Sequence, residues 1–109
     1  MLEVLFGSSA AERVLLYLQN YEQGYGREIA TTFGMAQSQV RKQLEKFESG
    51  GVLVSRLVGR TRLYEWNPRN PLVPAIRALL RAAIDSLPPA DRQRYLRRRT
   101  RPRRSGKAL

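Results

Sequence analysis

The 109-residue chain contains no cysteine and no histidine. Their absence excludes disulfide bonds, thiolate chemistry and metal sites built from thiolate or imidazole ligands. It also excludes Ser-His-Asp and Cys-His catalytic groups. The acidic residues are scattered over separate predicted elements without a catalytic motif. We therefore predict that the chain is not an enzyme and that it uses no metal or cofactor.

Long apolar segments are missing as well. No apolar run approaches the roughly 18 residues that a membrane helix needs, and the first residues lack the pattern of a signal peptide. We therefore expect a soluble cytoplasmic protein with no membrane partner. A chain of 109 residues suits one domain with a tail, because single cores of about 50–200 residues are the norm.

Acidic residues are few: 9 Asp plus Glu stand against 20 Lys plus Arg, for a formal net charge of +11. Residues 88–109 hold nine basic residues and one acidic residue, or +8, whereas residues 1–87 hold 11 and 8, or +3. This balance predicts a polyanionic partner, either nucleic acid or an anionic membrane. Nucleic acid is favoured because no amphipathic or lipidation signal supports a membrane tether.

The N-terminal half predicts helices separated by glycines. The first helix has Ser9 as its predicted N-cap, in a capping box with Glu12, and it is interrupted at Gly24. Its apolar residues recur at i, i+3, i+4 and i+7. The second helix begins near Arg27, and Gly34 ends it with a left-handed backbone.

The third predicted helix, at about residues 36–49, has two different faces. Val40, Leu44 and Phe47 recur at helical spacing and are expected in the core. The other face begins with five polar residues, which are Gln37, Ser38, Gln39, Arg41 and Lys42. Taken alone, such a face is most simply a solvated surface.

A β-hairpin is predicted next, because the apolar period changes and Val, Leu, Tyr and Trp become frequent. Its strands cover about residues 52–57 and 62–67, and the turn lies near Gly59 and Arg60. The hairpin carries three arginines, Arg56, Arg60 and Arg62.

A fourth helix is predicted at about residues 71–87, with Pro74 tolerated in its first turn. Its apolar face could pack on the first helix of the same chain. We favour a homodimer, since two-fold dimers are the commonest oligomers. The predicted interface comprises Leu72, Ile76, Leu79, Leu80, Ala83 and Leu87. Residues 88–109 have few apolar residues and repel one another, which predicts a basic tail with little fixed structure.

The predicted elements describe a mainly α fold with a small β-hairpin. Their order along the chain is helix, helix, glycine turn, helix, hairpin, helix. In this order the second and third helices form a helix-turn-helix and the hairpin forms its wing. The stretch REIATTFGMAQSQVRKQLEKFESGGVLVSRLVGRTRLYEWNP resembles the winged helix-turn-helix core of small bacterial and archaeal transcription regulators of the ArsR type. The resemblance covers about residues 5–87, and we assign the domain to residues 1–87.

The resemblance implies double-stranded DNA as the partner and sequence-specific transcriptional regulation as the function. It places Gln37, Ser38, Gln39, Arg41 and Lys42 at or near the major groove. It places Arg60 and Arg62, on the wing, at the flanking backbone or minor groove. The residue types suit this role, because Gln can pair bidentately with adenine and Arg with guanine.

The chain departs from the family pattern at two points. Ala36 stands where a Ser or Thr cap is usual, so the third helix must be held at its start by Ser38 or by packing. The cysteine and histidine clusters of metal-sensing members are absent, which excludes thiolate metal sensing and leaves the effector unassigned. The alternative function is a winged-helix protein-interaction module whose basic tail binds nucleic acid without sequence preference.

Overall fold

The computed structural model of the chain describes residues 2–95, with the backbone alone at residues 94 and 95. This part of the chain has helices α1 (Glu3–Phe6), α2 (Ser9–Tyr21), α3 (Gly26–Phe33), α4 (Gln37–Ser49), α5 (Val73–Ser86) and α6 (Pro89–Tyr95), and strands β1 (Gln23–Tyr25), β2 (Leu53–Val58) and β3 (Thr61–Trp66). The mainly helical fold with a small antiparallel sheet is confirmed. The predicted order is contained in it, with α1, β1 and α6 as additional elements.

Helix α2 begins one residue earlier than predicted. Ser8 is its N-cap, and the Ser8 Oγ accepts a hydrogen bond from the Ala11 N–H at 3.0 Å. The Glu12 carboxylate accepts from the Leu2 N–H at 3.0 Å, so the predicted capping box of Ser9 with Glu12 is wrong. The backbone decides between the two serines, because Ser8 has the extended angles of an N-cap (φ −168°, ψ 162°) and Ser9 is already helical.

The apolar faces of α2, α3 and α4 meet in one core with the sheet. Their buried side chains include Ala11, Val14, Leu15, Leu18, Ile29, Ala30, Phe33, Val40, Leu44 and Phe47. Tyr64 and Trp66 join them from β3. The Trp66 indole N–H donates to the Leu18 carbonyl at 3.1 Å, which satisfies a buried donor and fixes the sheet to α2.

Helices α3 and α4 are joined by a tight turn at residues 34–36. Gly34 has φ 67°, so the predicted left-handed backbone is confirmed. The Met35 N–H donates to the Ala30 carbonyl at 2.9 Å, and the Gly34 N–H donates to the Thr31 carbonyl at 3.4 Å. These are the two hydrogen bonds of a Schellman C-cap. The predicted helix-turn-helix is therefore formed by α3 and α4.

The sheet has the order β1-β3-β2, with both pairs antiparallel. Strands β2 and β3 form the predicted hairpin, in which Val58 lies opposite Thr61 and Gly59 (φ 65°) occupies the first turn position. Glycine suits that position in a type II′ turn. The sequence does not predict β1, which is short and exists through its pairing with β3. Gly24 in β1 has no room for a side chain, because a Cβ there would lie 2.6 Å from Tyr17 Cε1.

Helix α5 packs on α2 of the same chain. Leu80 and Ala83 are 0% and 6% exposed, so they belong to the core of their own chain. Their burial removes both residues from the predicted dimer interface. The Arg77 guanidinium also fixes α5, because its Nη2 donates to both carboxylate oxygens of Glu22 at 2.8 and 2.7 Å and its Nε donates to Gln19 at 2.8 Å.

Helix α6 carries regular structure beyond the predicted domain boundary at residue 87. It begins at Pro89, which agrees with the tolerance of helices for proline in the first turn. The prediction of little fixed structure is therefore wrong for residues 89–95. The rest of the predicted basic tail, residues 96–109, lies outside the described residues.

Candidate nucleic-acid interface

The polar face of α4 is exposed at the start of the helix. All five predicted DNA-reading residues lie there: Gln37, Ser38, Gln39, Arg41 and Lys42. Val40 and Leu44 on the opposite side are both 0% exposed. Helix α4 cannot rotate without exposing these two side chains, so its amphipathic pattern fixes which groups a partner meets.

The first turn of α4 has no side-chain cap. Ala36 has the extended backbone of an N-cap (φ −68°, ψ 139°), but its methyl group offers no acceptor and no side-chain hydrogen bond caps the helix. Of the two supports predicted for this helix start, Ser38 and packing, the structure shows packing. The burial of Val40 in the first turn supplies it.

Replacing Ala36 by serine is therefore expected to stabilise the domain by about 0.5–2 kcal/mol, because the hydroxyl would accept a hydrogen bond from a backbone N–H of the first turn. Urea unfolding measures the change. Ser8→Ala is the matched control, since it removes an existing N-cap bond and should destabilise by a similar amount. An Ala36→Ser variant no more stable than the wild type would contradict the N-cap geometry at this position.

The wing holds its arginines on different faces. Cross-strand pairing sets Leu57 opposite Arg62 and Arg56 opposite Leu63, and successive strand residues point to opposite faces. Arg62 thus lies on one face of the hairpin and Arg56 on the other. On its own face Arg56 pairs with Glu65, with the Nε and Oε2 atoms 3.5 Å apart.

A groove of about 590 Å³ separates α4 from the wing and brings the predicted residues of both elements together. The residues from α4 are Gln37, Ser38 and Arg41, and those from the wing are Arg60 and Arg62. Gln39 and Lys42 are exposed on α4 outside this groove. Five of the seven predicted DNA-binding residues therefore share one surface.

The groove is strongly cationic. Four arginines line it, Arg27, Arg41, Arg60 and Arg62, against the single carboxylate of Glu45. Tyr64 also lines it, and burial raises the pKa of the Tyr64 phenol, with a further contribution from the nearby Glu48 and Glu45 carboxylates. The phenol therefore stays protonated at neutral pH and adds no negative charge to the surface.

Sequence reasoning missed Arg27. This exposed residue is in the first turn of α3, and it reaches the groove because α3 packs against α4. A local signal could have identified it, since a cation at a helix N-terminus opposes the helix dipole. Arg27 therefore does not stabilise α3. An anionic partner bound beside it would offset the unfavourable interaction of its charge with the helix dipole.

A second exposed surface lies on α5 and at its ends. Leu72 and Leu79 are 65% and 41% exposed, and Ile76 and Leu87 are half-buried. Exposed apolar side chains that share one helix face are a feature of protein–protein contacts. Of the six predicted interface residues, Leu72 and Leu79 are therefore exposed, and Ile76 and Leu87 are partly accessible while also packing against the chain's own core.

Within residues 2–95, no helix has both the length and the apolar content required to cross a bilayer. The same residues contain no group of three or more carboxylates able to hold a metal ion.

No protein-family model matches the chain, and no curated protein matches it. Solved structures do match. The AntR antimony-specific transcriptional repressor is 21% identical, with a TM-score of 0.61 over 84% of this chain and 78% of AntR. AF1382 from Archaeoglobus fulgidus is 23% identical, with a TM-score of 0.57 over 77% of this chain and 92% of its own. BpsR from Bordetella bronchiseptica is 19% identical, with a TM-score of 0.51 over 78% of this chain and 70% of BpsR. Its DNA binding is regulated by 6-hydroxynicotinic acid.

At these identities the likeness concerns the fold. It agrees with the helix-turn-helix of α3 and α4 and with the hairpin of β2 and β3 that follows it. The chain therefore has a winged helix-turn-helix fold, as its sequence predicts.

Proposed function

We propose that the chain is a sequence-specific DNA-binding transcriptional regulator. The observation that carries this proposal is the arginine-lined groove between the exposed face of α4 and the wing. In a winged helix-turn-helix, α4 would enter the major groove and the wing would approach the adjacent groove. The sugar–phosphate strand that separates the two DNA grooves would then run between α4 and the wing, beside the four arginines.

The side chains suit a division between base and backbone contacts. The α4 side chains that would contact base edges are Gln37, Ser38, Gln39, Arg41 and Lys42. The wing side chains Arg60 and Arg62 would contact the flanking backbone or minor groove. Arg27 adds a phosphate contact from α3. AntR is a transcriptional repressor and BpsR has a regulated DNA-binding activity, which supports a comparable role here. This role involves no catalysis and is consistent with the predicted cytoplasmic location.

We also propose that the regulator acts as a homodimer through Leu72, Ile76, Leu79 and Leu87. A two-fold axis at this surface would present two α4 helices to one side of a duplex, about 34 Å apart. Leu79→Glu is expected to halve the mass seen by sedimentation, because it places a charge in the apolar contact. Ala78→Glu is the matched control, since Ala78 is exposed on the other side of α5 and should leave the mass unchanged. A monomeric wild-type chain would contradict the dimer.

We further propose that residues 96–109, the remainder of the basic tail, act as an arm on DNA phosphates. Such an arm raises affinity and steepens the dependence of binding on salt, because each phosphate contact releases counterions. It adds little sequence preference, since phosphates carry no base information.

Selection from a random duplex pool tests the function. We expect the full chain and a chain ending at residue 95 to select the same palindromic sequence, and the full chain to bind it more tightly. Truncation at residue 95 keeps α6 intact, unlike truncation at the predicted boundary. If the shortened chain selects no sequence, the alternative of a protein-interaction module with a non-specific tail replaces the regulator.

A further inference from the structure

Two consecutive hydrogen bonds link α4 to the wing. The Ser55 hydroxyl of β2 donates to Glu48 Oε2 of α4 at 2.7 Å. The Ser55 Oγ in turn accepts a hydrogen bond from Arg62 Nη1 of β3 at 3.0 Å. Ser55 therefore lies between a carboxylate and a guanidinium, each of which is within direct reach of its hydroxyl.

The chemistry of the serine hydroxyl fixes the direction of these two hydrogen bonds. Serine has a single O–H donor and two acceptor lone pairs, so with the donor used on Glu48 its oxygen is left to accept from Arg62. Among the described residues no direct ion pair joins Glu48 to Arg62; the hydroxyl lies between them instead. The contrast on the other face of the wing is clear, because there Arg56 contacts the Glu65 carboxylate directly.

The arrangement leaves Arg62 oriented and largely available. A guanidinium carries five N–H donors, and the hydrogen bond to Ser55 uses one of them. Arg62 is exposed and lines the groove that faces α4. Direct pairing with Glu48 would instead neutralise Arg62 and use the planar donor pair that fits a phosphate.

We infer that Ser55 is a positioning residue that holds Arg62 in the groove and keeps it from pairing directly with Glu48. The inference rests on the proposed DNA-binding function. It assigns Ser55 no contact with DNA. It also gives Glu48 two opposite roles. With the hydroxyl present, Glu48 anchors Ser55; with the hydroxyl removed, Glu48 competes with DNA for Arg62.

The test measures binding of the full chain to the duplex selected by the wild type. Ser55→Ala is expected to weaken binding about tenfold, as much as Arg62→Ala, because an arginine contact of this kind contributes on that scale. Adding Glu48→Gln to Ser55→Ala should restore binding to within about twofold of the wild type, because the competing charge is removed. Ser55→Thr keeps a hydroxyl on a strand and should bind as the wild type does.

A second readout needs no DNA. In Ser55→Ala, the Arg62 Nη resonances should become separate and sharp in a ¹⁵N NMR spectrum, because direct pairing with Glu48 hinders rotation of the guanidinium. The change should disappear in the Ser55→Ala, Glu48→Gln double variant. Circular dichroism and thermal unfolding verify that each variant is folded.

The outcomes separate the positioning role from the function. Wild-type affinity for Ser55→Ala, or a loss that Glu48→Gln does not reverse, would overturn the role of Ser55 while leaving DNA binding intact. Unchanged Arg62 resonances in Ser55→Ala would overturn the pairing with Glu48 independently of DNA. An Arg62→Ala variant that binds like the wild type would instead count against the proposed groove, and the inference would fall with it.

Discussion

Replacing Arg41 or Arg62 by alanine is expected to weaken binding of the selected duplex by about ten- to a hundredfold, because an arginine contact to DNA contributes about 1–3 kcal/mol. The two variants should differ in character. Arg41→Ala should relax base preference, since Arg41 lies in the second turn of α4, the helix proposed to enter the major groove. Arg62→Ala should weaken binding to all sequences alike and lower the salt slope by about one.

Arg56→Ala is the matched control for this prediction. Arg56 has the same side chain on the same hairpin and is also exposed, but it pairs with Glu65 on the face turned away from the groove. An exposed ion pair of this kind contributes little, so affinity should stay within about twofold of the wild type. Gel shifts at several salt concentrations measure all three variants. A loss in Arg56→Ala larger than in Arg62→Ala would mean that the wing presents its other face to DNA.

The second large effect concerns stability. Leu44→Ala is expected to lower the free energy of unfolding by about 2–5 kcal/mol, the usual cost of truncating a fully buried leucine. The Leu44 side chain is 0% exposed, and it reaches the start of α3, where a Cβ on Gly26 would lie 3.6 Å from Leu44 Cδ1. Its loss would leave a cavity between the two helices of the helix-turn-helix. For a domain with a total stability of about 5–15 kcal/mol, this is a large fraction.

Leu57→Ala is the control for the stability prediction. It is the same substitution at a leucine that is 63% exposed on the wing, so the free energy of unfolding should change by no more than about 0.5 kcal/mol. Urea unfolding of both variants provides the comparison. Similar losses at Leu44 and Leu57 would contradict the placement of α4 against the core.

Binding and stability are connected because the groove depends on how α4 and the wing are held. The wing is fixed at its base, where the Asn67 and Asn70 side-chain amides both donate to the Gly51 carbonyl, at 2.8 and 3.0 Å. The Trp66 hydrogen bond to Leu18 fixes the end of β3. The tip with Arg60 therefore projects from a fixed base, which favours a pre-formed surface over one ordered by DNA.

Much of the local structure follows from the sequence through short-range rules. The spacing of Val40, Leu44 and Phe47 gave the buried side of α4 and, by exclusion, its five exposed polar residues. Gly34 and Gly59 marked the two turns, because each has a positive φ that other residues rarely adopt. Helical periodicity and turn chemistry depend on neighbours in the chain, so they can be deduced without the fold.

Features that depend on distant partners were not deducible in this way. Strand β1 forms through pairing with β3, some forty positions later in the chain. The choice of Ser8 over Ser9 as N-cap depended on how the chain enters α2. The burial of Leu80 and Ala83 against the chain's own core, which narrows the proposed dimer surface, followed from the packing of α5 on α2.

The sequence by itself determined the helix-turn-helix, the hairpin and a set of exposed polar residues, because amphipathic period and glycine positions encode them locally. Tertiary structure alone decided which of those residues share one surface. It brought Arg27 to the groove, separated Arg62 from Arg56 by strand alternation, and placed the Ser55 hydroxyl between Glu48 and Arg62. The physical reason is that a binding surface is defined by distances between side chains from different elements, and these are fixed when the elements pack around one core.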